Sequence, residues 1–402
     1  MLRSELDLGT VNVQHDESSP NRGARAASDR PGRFGRRARV LAVAAAILLL
    51  LGACGVDTAK TGDSGGSGKG GGSGSGQEIT VTAFAGEWGD LFRSSFVQPF
   101  ERETGIKVNL VFGANAEWLT KLRAANGKNP PFDVIAFTPD AVRQAVPAKL
   151  LQPLDTAKLE HWKQLDPTLT EHAGVDGTPY GVPLTTGSTG LMYRTDKIKT
   201  PPKDWRDIFD KQYCGHVALP PLTYNPGLEF FSALVRSQGG TLSNPKDVDK
   251  GFQTLAKLKG CVSSYPANAG NVQTVMENGD AWIVPFWDGR AFAMEQAGSP
   301  IGFTYPTSGP VGALTSYYIA SGSKHTDAAY EFLNYVSAAQ YQKKFGEGTW
   351  YAAGNDTIKY SATFEDRIKH GEAVYKKFTW VDYNAATPKL DEWQQRWNQI
   401  FS

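Results

Sequence analysis

Residues 78–137 read EITVTAFAGEWGDLFRSSFVQPFERETGIKVNLVFGANAEWLTKLRAANGKNPPFDVIAF, and this stretch decides the fold class. Glu78 to Ala83 is a short β-rich run. Phe92, Phe96 and Phe100 recur at i, i+4 spacing, which predicts an amphipathic helix ending near Gly105. Lys107 to Phe112 alternates as a second strand. Trp118, Leu119 and Leu122 lie on a second helix, which Asn126-Gly127 stops. Asp133 to Phe137 is a third strand. Strands and helices in alternation argue for a parallel or mixed sheet covered on both faces. Ligands of such sheets bind beyond the carboxyl ends of the strands, so Ala83–Trp88 and Thr138–Asp140 are the expected site loops.

Further along, Tyr180-Gly-Val-Pro183 leads into Thr185-Thr-Gly-Ser-Thr-Gly190 and then Leu191-Met-Tyr193. The flexible Gly/Thr/Ser run between two strands reads as a crossover between lobes. A second series follows, with strands at 216–219, 281–285 and 301–305. Helices are expected over 228–235, 248–258, 271–276 and 291–296. A strand over 314–319 and a helix over 328–336 read as a return to the first lobe. Leu390 to Phe401 is an amphipathic helix carrying Trp393 and Trp397, expected as interface packing. No internal repeat is present.

The chain has 402 residues, and a single core stops growing at roughly 250–300, so two lobes are expected. Formal net charge is +1, which gives no reason for nucleic-acid binding. Arg33, Arg36, Arg37 and Arg39 precede twelve apolar residues, Val40 to Leu51. A bilayer span needs about 20, so this run is a signal-peptide core and not a membrane helix. Leu51-Gly52-Ala53-Cys54 follows. Gly55 to Gln77 is mostly Gly and Ser, a tether with a reach of about 25 Å. Removing Cys54 from the count leaves Cys214 and Cys261. In an exported domain the pair reads as one disulfide, worth roughly 3–4 kcal/mol in the chain-entropy picture.

The leader resembles that of bacterial lipoproteins, in which the cysteine of the L-G-A-C motif is diacylated. That implies lipidation of Cys54 and a protein held at the outer face of the cytoplasmic membrane. The body resembles the extracellular solute-binding proteins of ABC importers, in the branch with polyamine and iron-type binders. The resemblance rests on Phe96 to Val108, Phe132-Asp-Val-Ile135, Tyr180 to Pro183 and Gly190 to Tyr193. Asp204 to Phe209, Gly215 to Leu219, Asn278-Gly-Asp-Ala281, Trp287-Asp-Gly-Arg290 and Ala328 to Asn334 extend it. It implies an α/β, two-lobed periplasmic-binding-protein fold of type 2 with hinge crossovers. Lobe 1 is expected over 78–187 and 315–360, and lobe 2 over 188–314 and 361–402. Residues 1–32 are an N-terminal extension expected to be disordered, 33–53 the signal peptide and 54–77 the lipidated cysteine with its tether. A monomer that hands a small-molecule solute to an ABC permease follows from the resemblance.

The resemblance also carries over site residues. Trp287 matches a ligand-stacking tryptophan, Tyr351 a cleft tyrosine and Thr138 a hydroxyl residue after the third strand. Thr315 stands where a polyamine binder has a decisive aspartate, and Ala313 where it has an aromatic. A hydroxyl cannot neutralise an ammonium, so the cargo moves away from a plain polyamine. Other residues supply chemistry by type. Glu87 and Trp88 lie in the first loop. Tyr224 and Asn225 open a helix, where backbone N–H groups favour anions. Asp288 and Arg290 flank Trp287, and Tyr317 shares a strand face with Thr315. A carboxylate beside Trp suits an amine, and an Arg suits a carboxylate or phosphonate. The expected solute is a small nitrogen compound: a polyamine-like amine, an amino acid or an aminophosphonate. The competing readings are core packing for Trp287, a surface pair or helix cap for Asp288 and Arg290, and a closed turn for Glu87 and Trp88.

No H-E-x-x-H, G-x-S-x-G, P-loop or clustered Cys/His spacing is present, so no catalytic residue, metal or cofactor is expected. The alternatives to an importer subunit are a lipid-anchored receptor or scaffold of the same fold and, behind it, a cell-surface hydrolase.

Overall fold

Phe92, Phe96 and Phe100, which predict the first helix, are fully buried in the computed structural model, which describes residues 77–402. The N-terminal extension, the leader, Cys54 and the tether up to Gly76 lie outside the described residues. Strand β1 (Glu78–Phe84) is followed by α1 (Glu87–Phe92), a π turn at Arg93–Val97 and α2 (Gln98–Thr104). The π turn sits just before Pro99, whose ring cannot tolerate the carbonyl four residues back and offers no N–H. Gly105 takes a left-handed φ of 77° and its N–H returns to Glu101 O, which ends the helix where the sequence places the stop.

β2 (Lys107–Gly113) runs parallel to β1, and after α3 (Asn115–Ala125) β3 (Val134–Phe137) joins the other side of β1, also parallel. α4 (Pro139–Ala145) and α5 (Pro167–Ala173) lead to β4 (Gly181–Arg194). The segment Thr185–Gly190 does pass between the lobes, but not as a flexible run between two strands. β4 is one strand of 14 residues, every one of them buried. The run is tied down because it has strand partners on both sides: Thr189 pairs with Trp287 and with Val311. The small side chains reflect crowding around the strand. Pro183 is tolerated at a register shift between Pro183 and Thr185.

The second series comprises β5 (Val217–Ala218), α6 (Asn225–Arg236), α7 (Pro245–Leu255), β6 (Val262–Ser264), α8 (Ala269–Glu277), β7 (Ile283–Trp287), α9 (Asp288–Gln296) and β8 (Ile301–Thr304). β7 runs two residues past the expected Pro285, so Trp287 is its last residue. β9 (Val311–Ile319), α10 (Thr326–Ser337), α11 (Ala339–Thr349) and β10 (Ala352–Ala353) follow. The tail adds α12 (Ala362–Arg367), α13 (Glu372–Tyr375), α14 (Tyr383–Ala386) and α15 (Leu390–Phe401). The strands form one sheet in the order β2-β1-β3-β9-β4-β7-β5-β6, with β8 and β10 also on β4.

Two lobes arise because this sheet is covered by separate cores. Ile79, Val81, Phe92, Val134 and Phe332 belong to the first. Leu191, Trp205, Phe231, Ile283 and Trp393 belong to the second, beside a cluster of Met192, Met276, Val284 and Phe286. On β4 the cores change over between Leu184 and Leu191, and on β9 between Val311 and Tyr317. These two antiparallel strands are the hinge crossovers. A further cluster, Leu169, Ala173, Leu314, Tyr375 and Phe378, packs the tail against α5 and β9. Trp393 lies edge-on to Phe231 at 5.8 Å and Trp397 edge-on to Tyr265 at 5.0 Å, which is packing. Cys214 and Cys261 are bridged, joining the residues that lead into β5 and β6. Among the described residues no helix is long and apolar enough to cross a membrane.

Candidate functional site

β7 delivers Trp287 and α9 opens on Asp288, so both stand at a strand-to-helix junction facing the hinge. Trp287 is half-buried. Its ring lies edge-on to Tyr224 at 5.5 Å, and its Nε1 donates to Glu229 Oε2 at 3.1 Å. The Thr189 hydroxyl donates to the same oxygen. Glu229 lies on α6 and is 1% exposed. No cation pairs with it among the described residues, and burial pushes its carboxyl up to about 8.

Asp288 is fully buried. It accepts from Ser188 N at 3.0 Å, Ser188 Oγ at 3.1 Å, Gly289 N at 2.8 Å and Tyr305 OH at 3.3 Å. Burial raises its carboxyl to about 6, and those donors oppose the rise. Backbone geometry makes room for it. A Cβ on Gly187 would lie 2.5 Å from Asp288 Oδ1 and 2.7 Å from the Tyr351 ring. A Cβ on Gly289 would lie 2.7 Å from the same ring. The Tyr351 ring therefore needs both glycines. Trp350, which ends α11 in a left-handed conformation at φ 58°, turns the chain so that Tyr351 enters this space. Burial pushes the Tyr351 and Tyr224 hydroxyls far above their usual range, so both stay neutral donors.

The opposite wall comes from the first lobe. The Thr138 hydroxyl bonds to Asp140 and accepts from Asn115 Nδ2. Asn225, at the start of α6, donates from Nδ2 to Asp140 Oδ1 at 3.2 Å and reaches Thr138 Oγ1 at 3.5 Å. These bonds cross from lobe to lobe. Asn225 thus meets the chain's own Asp140 through its side-chain amide. Between the lobes, Glu87, Trp88, Arg290 and Tyr351 border a cavity of only about 20 Å³, room for about one water. A solute of several heavy atoms does not fit this cavity unless its walls part. A second cavity, of about 340 Å³, is lined by Pro139, Arg143, His172, Trp380 and Tyr383 among others.

Trp287, Asp288, Arg290, Tyr224 and Tyr351 are brought together here, and Thr138 and Asn225 meet across the cleft. Tyr317 is corrected: it is fully buried in the first core, stacked on Phe92 at 5.2 Å, and its hydroxyl donates to Thr82 O at 3.0 Å. By that point β9 has entered the first lobe, where the α1–π-turn segment covers the face that Tyr317 occupies. Trp88 is also chiefly a packing residue, 6% exposed, stacked on Phe92 and edge-on to Phe345 at 5.0 Å. It borders the cleft only at the small cavity, beside exposed Glu87. Thr315 is half-buried opposite Thr185 on β4. Ala313 pairs with Gly187, the residue over which Asp288 sits.

Sequence reading missed Glu229, Asp140 as a side-chain partner, and Tyr305. For Glu229 a signal existed: it is the one charge inside Leu228-Glu-Phe-Phe-Ser-Ala-Leu-Val235, a run that is buried throughout. A buried carboxylate with no partner cation is costly and marks a site. Among the described residues no cluster of three His, Cys, Asp or Glu side chains fits a metal ion.

A two-lobed α/β body hinged on two strands, with aromatic rings and carboxylates between the lobes, defines a solute-binding protein. The profile of the bacterial extracellular solute-binding proteins matches residues 95–371, and the chain belongs to that family. It is 24% identical over 319 residues to the spermidine/putrescine-binding periplasmic protein of Escherichia coli (strain K12), covering 78% of this chain and 86% of that one. The putrescine/agmatine-binding protein of Pseudomonas aeruginosa is 25% identical over 314 residues, 72% of this chain and 82% of its own. The crystal structure of an ABC transporter substrate-binding protein from Bradyrhizobium japonicum superposes with a TM-score of 0.69 at 21% identity, covering 81% of this chain and all of that one.

Proposed function

We propose that this chain captures a small ammonium-bearing solute between its lobes and delivers it to the permease of an ABC importer. One observation carries this reading. Two buried carboxylates, Glu229 and Asp288, sit beside Trp287, Tyr224 and Tyr351, and hydrogen bonds from neutral groups are all they receive. Such a pocket favours a cation that carries apolar surface, through charge and through the ring faces. The relatives from E. coli and P. aeruginosa are named for polyamines, which is the same chemistry. Thr315 carries no carboxylate, and Asp288 supplies one from the end of β7, which lies across β4 from β9.

A second reading rests on Arg290. It forms no ion pair among the described residues and borders the small cavity with Tyr351. A guanidinium there suits the acidic end of an amino acid or aminophosphonate. A thermal-shift series with putrescine, spermidine, amino acids and aminophosphonates separates the two. Stabilisation by diamines alone selects the polyamine-like solute. Stabilisation by zwitterions that is lost in Arg290→Ala selects the second. No shift with any nitrogen-containing solute overturns both.

The chain acts as a monomer at the outer face of the cytoplasmic membrane, lipidated at Cys54, and the tether lets the lobes turn toward the permease. Metabolic labelling with a radioactive fatty acid tests the anchor: label on the wild type and none on Cys54→Ala is expected, and label on both rules Cys54 out. A receptor of the same fold without transport predicts solute binding but no uptake defect in cells lacking the protein.

A further inference from the structure

Glu229 occupies a place where a carboxylate is poorly supported. It is 1% exposed, lies on a helix buried throughout the run around it, and receives hydrogen bonds only from the neutral Thr189 hydroxyl and Trp287 indole. The groups that face it come from every packed element. Asp140 on α4 and Asp288 on α9 are like charges and disfavour its ionisation. Tyr224, Tyr351 and Tyr383 feel its charge and remain neutral through burial. Arg290 borders the small cavity and is not bonded to Glu229 among the described residues. Asp288 differs in kind, because four donors hold it.

We infer that Glu229 is a charge-reading residue that is protonated in the empty closed cleft and gives its proton to solvent when an ammonium enters. This rests on the amine reading above. The step balances simply: the carboxylic acid and a cationic solute become a carboxylate–ammonium pair, and one proton passes to the buffer. The donor geometry fits both states, since Thr189 and Trp287 bond the same oxygen and leave the other to the solute. A neutral solute of the same shape takes the place of no proton and leaves the acid intact, so the residue sorts by charge. The position of Glu229 near 8 agrees with this, and Asp288 near 6 is already ionised at neutral pH. The coupling also makes capture stronger as pH rises, because less proton has to be displaced.

Calorimetric titration of the folded chain with putrescine at pH 7 tests this. The titration is repeated in two buffers of different ionisation enthalpy. The expected difference corresponds to release of about one proton per solute, since a group near 8 is still mostly protonated there. The apparent Kd should fall about tenfold per pH unit up to that value and then level. Glu229→Gln keeps a hydrogen-bond acceptor, and there the buffer dependence should vanish and the pH profile flatten. Equal heats in both buffers, with putrescine bound, overturn this inference and leave the amine reading standing. If neither putrescine nor any other amine binds, the amine reading fails and takes the inference with it.

Discussion

Trp287 stands where three demands meet: it ends a strand, it hydrogen-bonds Glu229, and it stays only partly buried. Trp287→Ala removes the ring that a solute would stack on while leaving the core of the second lobe in place. Affinity should fall by at least about 30-fold, roughly 2 kcal/mol, with a Tm within a few degrees of wild type. Unchanged affinity in calorimetry would remove Trp287 from the site. Glu229 makes a separate prediction for the solute-free protein. Its folded carboxyl is raised from 4.5 to about 8, so between those values the folded state holds a proton that the unfolded chain has released. Stability from this group is fully present below about 4.5 and is lost as pH rises toward 8. Tm should therefore decline across that window more steeply in the wild type than in Glu229→Gln. Parallel curves would show that the carboxyl is not protonated in the fold.

At the scale of elements, β4 is the piece on which the site depends. It contributes Ser188 and Thr189 to the two carboxylates and Gly187 to the space that Asp288 and the Tyr351 ring occupy. Adjacent residues of one strand thus hold Asp288 and Glu229, and the strand is fixed by partners on both edges. Gly187→Val would drive a side chain into Asp288 Oδ1 and the Tyr351 ring, each within 3 Å of the new Cβ. The expected outcome is loss of binding with a stability cost of about 1–3 kcal/mol from overpacking. Wild-type affinity in this variant would show that Asp288 and Tyr351 do not shape the pocket. α6 plays the complementary part. Its first residue, Asn225, reaches across to Asp140, and one turn later Glu229 reaches the pocket. Both lie on one helix, so a shift of α6 moves the crossing contact and the charge together.

For the whole molecule, two cores on one sheet are joined by β4 and β9, and side-chain bonds cross between the lobes. Those bonds, from Asn225 to Asp140 and Thr138, tie the first lobe to the second. Each is worth on the order of 1 kcal/mol, so they bias the closed form by a factor of about 5–30. Asn225→Ala should enlarge the solute-free radius of gyration measured by X-ray scattering, and solute should restore the compact value. An identical solute-free profile would mean that closure does not depend on these contacts. A ligand shifts such an equilibrium only by binding one form better than the other, and the cleft groups touch both sides only when it is closed.

The sequence by itself determined the alternation of strands and helices, the two-lobe size, the family-length likeness and the pairing of the two cysteines left in the body. These follow from local periodicity, from residue chemistry and from order along the chain. It also named Trp287, Asp288, Tyr224, Asn225, Thr138, Arg290 and Tyr351 as chemically apt. Local pattern could not say which of them face one another. Tyr317 has the right type and spacing, yet packs in a core because β9 changes lobes between Val311 and Tyr317. Thr185–Gly190 has the composition of a linker, yet it is the central strand, since partners on β7 and β9, far along the chain, complete its ladder. Glu229 looks like an incidental charge in an apolar helix until Thr189 and Trp287 arrive from two other elements. Only the tertiary structure decided these points, because burial and pairing depend on segments far apart in the chain, and a carboxylate becomes a site only when the fold removes water from it.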